Sequence, residues 1–341
     1  MQPSIPTPSA ITRALDEYVI GQDAAKRIVA VAVYAHYRKI ATSQGDDVAL
    51  AKSNVLLIGP SGTGKTLMCE TLSRILDVPF ATAEATSLAQ TQYVSEEIEA
   101  ILQRLVDKAG GDVAQAGRGI VFIDEIDKVK GSGAASRTSG ESVQHALLKI
   151  MEGAQVKLAD GRYVDTTDIL FVCGGAFVGL DEIIRSQTHG YAFIATTKSD
   201  SRNILDRLNS RVKPTDLFTY GLIPEFTGRL PIIARFDELS RETLIRIMTE
   251  PKNAIYAQFR AIFAAEGVEL VVQPKVFEQV AEIAIEYKTG ARSLRGIFEE
   301  VIAPMLYRIP DERNIARVEY TSIFTEPRVA SDEKRVRGIG G

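Results

Sequence analysis

Three short runs along the chain are apolar at every position: Val55-Leu56-Leu57-Ile58, Ile120-Val121-Phe122-Ile123 and Ile169-Leu170-Phe171-Val172. A strand with one wet face alternates polar and apolar positions. Runs without alternation predict strands covered on both faces, as in a parallel sheet between helices. After Lys65 the period changes, and Met68, Leu72, Ile75 and Leu76 fall on one helix face. A strand, a turn, such a helix and then further strands predict an α/β fold. Beyond Leu230 the helical period dominates. Ile255, Phe259, Ile262 and Phe263 mark one helix; Phe277, Val280 and Ala284 mark another, opened by Pro274. Leu294, Ile297, Phe298, Val301 and Ile302 mark a third, with Gly290 as the stop before it. The expected organisation is a structureless start (1–10), a large α/β domain (11–230), a smaller, mostly helical domain (231–325) and a flexible tail (326–341). Loops are expected at Met1–Ser9, Ser43–Asp47, Lys130–Gly140 and after Thr325.

Composition adds bounds. The 341 residues, 45% hydrophobic and 25% charged, suit a globular chain of two or three domains. A net charge of -4 gives no reason to expect nucleic acid or an anionic membrane as partner. The apolar run Ile28 to Ala35 is too short to span a bilayer, and Met1 to Ala10 has no leader pattern, so a soluble cytoplasmic protein is expected. Cys69 and Cys173 lie in apolar stretches away from His36, His145 and His189. They read as buried small hydrophobes and not as zinc ligands.

The chemistry concentrates after the first apolar run. Gly59-Pro60-Ser61-Gly62-Thr63-Gly64-Lys65-Thr66 meets every position of the phosphate-loop pattern, between a strand and a helix. Glycines let backbone N–H groups close around phosphate oxygens, and the helix N-terminus adds partial positive charge. Lys65 would reach the β- and γ-phosphates of ATP, and the Thr66 hydroxyl would ligate Mg²⁺. The second run ends in Asp124-Glu125. Asp124 suits Mg²⁺ coordination and Glu125 suits activation of the attacking water. A solvated acidic turn is the alternative, since Asp127 and Lys128 follow; the preceding phosphate loop weighs against it. An arginine for the γ-phosphate charge has two candidates, Arg229 and Arg292. Each could instead be a surface cation paired with an acid, and spacing does not choose between these readings. No Asn-Lys-x-Asp guanine-reading motif occurs.

These residues resemble the ClpX family of AAA+ ATPases. The segments that carry the resemblance are Leu15 to Gln22, the phosphate loop, Phe122 to Lys128, Cys173 to Phe177, Gly221 to Arg229 and Thr289 to Arg292. It runs from about Ile11 to Ile309; the ordered set points to the ClpX and HslU branch, and Cys173–Phe177 and Gly221–Arg229 favour ClpX. The resemblance implies an α/β ATPase domain, a helical lid and a homo-hexameric ring that threads protein substrates through its pore. It implies that Val19 and Ile20 pack on adenine, that Arg229 acts on the neighbouring subunit's nucleotide, and that Arg292 senses the nucleotide of its own subunit. Departures from the family pattern carry expectations too. These proteins open with a four-cysteine zinc domain, whereas here the ATPase segments start almost at once, so the usual adaptor and substrate docking is not expected. The Gly-Tyr-Val-Gly pore loop becomes Gln92-Tyr93-Val94-Ser95, with Tyr93 and Val94 as the grip; a half-buried aromatic at a helix start is the alternative. The stretch Gly153 to Asp168 is too short for the family's basic entrance loop. Tyr191-Ala192-Phe193 stands where a peptidase-docking Ile-Gly-Phe would be. An ATP-driven protein unfoldase or remodeller is therefore expected, working without a standard ClpP, alone or with a dedicated partner; the regulatory ATPase of a ClpP-like peptidase is the second reading and a nucleic-acid motor a third.

Overall fold

In the computed structural model the three apolar runs lie side by side in one parallel sheet. The structure describes residues 5–42, 52–91, 93–130, 134–188, 212–312 and 314–331. The sheet contains β1 (Val55–Ile58), β2 (Phe80–Glu84), β3 (Ile120–Asp124), β6 (Leu170–Gly175) and β7 (Ile232–Arg235), in the order β2-β3-β6-β1-β7. Val172 of β6 faces both Val55 of β1 and Phe122 of β3 in register, so their carboxyl ends form one edge. β3, β6 and β1 are flanked on both sides and almost wholly buried, which is why they read as unbroken apolar runs. The edge strands β2 and β7 are only partly covered, and their mixed composition hid them.

Around this sheet the chain forms α1 (Pro8–Asp16), α2 (Asp23–Thr42), α3 (Lys65–Leu76), α4 (Ala85–Gln90), α5 (Val94–Lys108), α6 (Val113–Ala116), α7 (Ala134–Glu152), α8 (Leu180–Thr188), α9 (Pro214–Tyr220) and α10 (Pro224–Gly228). α3 packs on β3 and β6, α5 on β2, and α2 on β7. A short hairpin, β4 (Gln155–Lys157) with β5 (Tyr163–Asp165), fills the stretch after α7.

The C-terminal unit has its own core. It contains α11 (Arg241–Thr249), α12 (Ile255–Ala265), β8 (Glu269–Val272), α13 (Pro274–Glu286), α14 (Arg292–Arg308), β9 (Ile315–Tyr320) and β10 (Arg328–Ser331). The helical periods expected here bring Phe259, Phe277 and Phe298 together, with Phe277 and Phe298 stacked at 5.8 Å between centroids. A small sheet of order β10-β9-β8 accompanies the helices.

Several expected boundaries move. The large unit continues past 230 to Phe236, because β7 draws its hydrogen bonds from β1. α1 begins inside the supposedly structureless 1–10: Pro8 suits a first helical turn, and buried Ile11 and Leu15 hold the helix down. α7 begins at Ala134, within the loop expected at Lys130–Gly140, and is anchored by buried Val143, Leu147 and Ile150. β10 lies in the expected tail, exposed at each of its residues and held by backbone pairing to β9, so no apolar signal announces it. The segments Ala14–Gln22 and Ser61–Gly64 group with the C-terminal unit. Among the described residues no helix is long and apolar enough to cross a membrane.

Candidate nucleotide site

The phosphate loop begins where β1 ends. Gly59 N donates to Gly175 O (3.1 Å), and Phe236 N donates to Ile58 O (2.7 Å), so the loop starts from strands on both sides. At Gly59 a Cβ would lie 2.5 Å from the Phe236 carbonyl oxygen, and only glycine passes there. Gly62 (φ +76°) and Gly64 (φ +98°) take left-handed conformations that turn successive N–H groups inward. Lys65 and Thr66 open α3, whose first-turn N–H groups have no partner within the helix. Lys65 is 7% exposed, and its Nζ donates to Gly59 O (2.6 Å) and Pro60 O (2.8 Å). The ammonium thus rests on the carbonyls of its own loop. Its positive charge suits a polyphosphate. The Thr66 hydroxyl and the Asp124 carboxylate are hard oxygen donors of the kind that Mg²⁺ takes.

The acid pair stands at the same sheet edge, where β3 ends. Asp124 Oδ1 accepts from Glu125 N (2.8 Å). Glu125 leaves the strand at φ 58°, a left-handed conformation uncommon outside glycine, so its side chain departs from the strand direction. There Thr86 Oγ1 donates to Glu125 Oε2 (3.1 Å). Asp127, 2% exposed, accepts from Ala176 N (3.3 Å) and Phe177 N (3.1 Å), which ties the turn after β3 to the end of β6. Gly174 makes room beside the pair, since a Cβ there would sit 2.6 Å from the Phe122 ring and 3.3 Å from Asp124 Oδ1. Cys69 on α3 lies near enough that Asp124 joins burial in pushing its thiol up, and burial pushes Cys173 up to about 12. Both cysteines are buried, as their apolar surroundings suggested.

Arg229 lies at the opposite edge. It follows α10 and precedes Ile232, which pairs with Val55 at the start of β1, whereas the phosphate loop follows Ile58. At about 3.3 Å per residue the strand alone puts roughly 10 Å between these edges. Arg229 Nη2 pairs with Glu152 Oε1 at 2.5 Å.

Within the C-terminal unit, Val19 and Ile20 are buried and Gly21-Gln22 follows with positive φ at both residues. Gln22 Nε2 donates to Asp237 O (2.8 Å) and its Oε1 accepts from Asp237 N (2.9 Å), a reciprocal clasp that fixes the segment. In the same unit Ala291 N donates to Gly62 O (3.1 Å), and the Cβ position of Gly62 is taken by the Thr289 carbonyl. Arg292, the next residue, opens α14 and is exposed. Tyr93 is 60% exposed at the N-cap of α5, with Val94 as the first helical residue. It sits at a helix start but outside the core. Tyr191-Ala192-Phe193 lies outside the described residues.

Sequence reading passed over Thr86, Asp127, Asn54 and Glu152. Thr86 follows β2, an edge strand whose mixed composition gives no signal, and in the sequence Asp127 reads only as acidic context for Asp124-Glu125. Asn54 and Glu152 gave no local signal, because their partners are distant in the chain.

A parallel sheet of order β2-β3-β6-β1-β7, a phosphate loop after β1, an Asp-Glu pair after β3 and a separate helical unit define a AAA-type phosphate-loop ATPase. Residues 50–233 match the AAA domain of the Cdc48 subfamily, and residues 239–322 match the C-terminal D2-small domain of ClpB protein. The chain belongs to the ClpX family. It is 47% identical over 324 residues to the ATP-dependent Clp protease ATP-binding subunit ClpX of Treponema denticola, covering 90% of this chain and 78% of that one. To the protein of that name from Azotobacter vinelandii it is 44% identical over 336 residues, covering 92% and 76%.

Proposed function

We propose that the chain is an ATP-driven protein unfoldase that works as a homo-hexameric ring, each site completed by a neighbouring copy. The observation that carries this reading is the position of Arg229 at the sheet edge away from its own phosphate loop. A guanidinium so placed serves a second copy's nucleotide more readily than its own, which makes hydrolysis depend on assembly. In each site Lys65 leaves its carbonyls for the β- and γ-phosphates, and loop N–H groups from Gly59 to Thr66 cradle phosphate oxygens. Val19 and Ile20 pack on adenine, and Arg292 senses the bound nucleotide. Thr66 and Asp124 would hold Mg²⁺, which when bound neutralises phosphate charge. Glu125, oriented by Thr86, takes the proton of the attacking water. Tyr93, exposed and uncommitted to the core, grips polypeptide by dispersion and steric contact, with Val94 beside it.

The test is ATP-dependent loss of fluorescence from a tagged fluorescent protein. Wild type unfolds it; Tyr93→Ala keeps its ATPase rate within about threefold and loses unfolding. Equal unfolding by Tyr93→Ala removes the pore role.

A second reading, the regulatory ATPase of a ClpP-type peptidase, is favoured by the names of both relatives. We propose independence from a standard ClpP, because Tyr191-Ala192-Phe193 replaces a branched aliphatic and a glycine by a bulky phenol and an alanine. Burying an unpartnered hydroxyl costs about 1–3 kcal/mol per site, and several sites multiply the loss. Adding ClpP to the same assay decides: saturable, ATP-dependent degradation lost on deleting Tyr191–Phe193 would establish the second reading.

A further inference from the structure

We infer that Glu152 is the positioning residue for Arg229, fixing the guanidinium that each copy offers to the next. The inference rests on the reading of Arg229 as acting between copies. Glu152 ends α7, and Gly153 (φ +106°) turns the chain away directly afterwards, so the carboxylate is left at the helix terminus. From there Oε1 meets Arg229 Nη2 at 2.5 Å. One buried side chain holds the main chain of Arg229 and of Met151, the residue before Glu152. Asn54, 1% exposed and next to β1, donates from Nδ2 to Arg229 O (3.1 Å) and, at a longer 3.5 Å, to Met151 O. Its Oδ1 accepts from Phe171 N (3.4 Å), which joins this cluster to β6. The end of α7 is held further by Thr166 Oγ1, which donates to Ile150 O (2.7 Å).

Stability does not account for the pair. Arg229 is 52% and Glu152 43% exposed, and an ion pair that open to water contributes little to folding. Its effect is on geometry. A guanidinium is a rigid planar fork of five N–H donors. A carboxylate against one corner restricts where the guanidinium can lie before any phosphate arrives. The contact is made at Nη2, and a fork of five donors has others with which to meet phosphate oxygens. An arginine held in this way meets the transition state without reorganising, and the benefit falls on kcat.

The experiment uses the full chain. Glu152→Gln keeps the shape and removes the charge; its kcat for ATP is expected to fall five- to twentyfold, with KM and ring assembly by sedimentation unchanged within twofold. Mixing it with Glu125→Gln subunits is the discriminating step. These have intact Arg229 and Glu152 but no working base, so their arginines complete the intact sites of Glu152→Gln neighbours. Activity per Glu152→Gln subunit is expected to rise at least threefold. A kcat loss that mixing does not relieve places the effect of Glu152 in its own subunit and overturns the inference. Wild-type kcat in Glu152→Gln alongside an inactive Arg229→Ala also overturns it, while leaving the role of Arg229 intact. Normal turnover by Arg229→Ala overturns both readings. Glu152→Asp keeps the charge with a shorter reach, and carries the same test should Glu152→Gln fail to assemble.

Discussion

Lys65 and Glu125 share one sheet edge but differ in what holds them. The Lys65 ammonium is buried against two carbonyl oxygens of its own loop. Lys65→Ala is expected to weaken ATP binding about 100-fold or more, since charge-assisted bonds of ~1.5–3 kcal/mol are lost together. Glu125→Gln should bind ATP with near-normal affinity and turn it over at least ~100-fold more slowly, the range of a general base. Fluorescent-nucleotide titration and phosphate release separate the two; matched affinities for Lys65→Ala and wild type would remove the first role. Elsewhere, His36 is 6% exposed and its Nε2 lies 2.9 Å from Asp168 O. Burial, with Lys52 and Lys39 nearby, lowers its pKa from 6.5 to about 4 despite the Asp168 carbonyl. Between those values the unfolded chain holds the proton more tightly than the folded one. The neutral ring's contribution is therefore intact above pH 6.5 and is lost as pH falls towards 4, by about 3 kcal/mol in all. Urea unfolding from pH 7.5 to 4.5 should show a steeper decline for wild type than for His36→Asn, and parallel curves would exclude it.

β6 shows how an element can be shaped by its neighbours. Its last residues, Gly174 and Gly175, lie beyond the apolar run Ile169–Val172, yet the strand runs through them. The positions a Cβ would occupy are taken by the Phe122 ring at Gly174 and by Asp127 and the Phe177 ring at Gly175. Gly174→Ala is therefore expected to overpack the site by about 1–3 kcal/mol and lower the melting temperature by several degrees. Because the same Cβ crowds Asp124, ATP turnover should fall with it. A variant as stable and active as wild type would show that the strands separate easily. β2 and β7, with mixed faces and few residues, left no pattern to read, and only pairing with β3 and β1 makes them strands.

Across the whole molecule, the phosphate loop and the Asp-Glu pair lie at the carboxyl edge of the parallel sheet, whereas Arg229 precedes β7 at the other edge. Specific ATPase activity is accordingly expected to fall more than tenfold on dilution from assembled rings to single chains, followed by phosphate release together with sedimentation. Constant activity per subunit through that range would place the completing arginine within one chain. The C-terminal unit has a core of its own around Phe259, Phe277 and Phe298. That core lets it persist as a unit of the chain, with Val19, Ile20 and the Gly62 turn among its members.

The sequence by itself determined the α/β class, the phosphate loop, the Asp-Glu pair and the helical character of the second unit. These are written in consecutive residues, because a buried strand must be apolar throughout and a phosphate cradle must have glycines at fixed intervals. The tertiary structure alone decided where Arg229 stands, and that its partner is Glu152, 77 positions earlier (229 less 152). It also decided that Thr86 orients Glu125 across 39 positions and that Asn54 binds the Arg229 turn across 175. Each of these is a polar contact between elements brought together by sheet order. Local spacing carries no trace of it, since a single hydrogen bond or ion pair imposes no period on the chain.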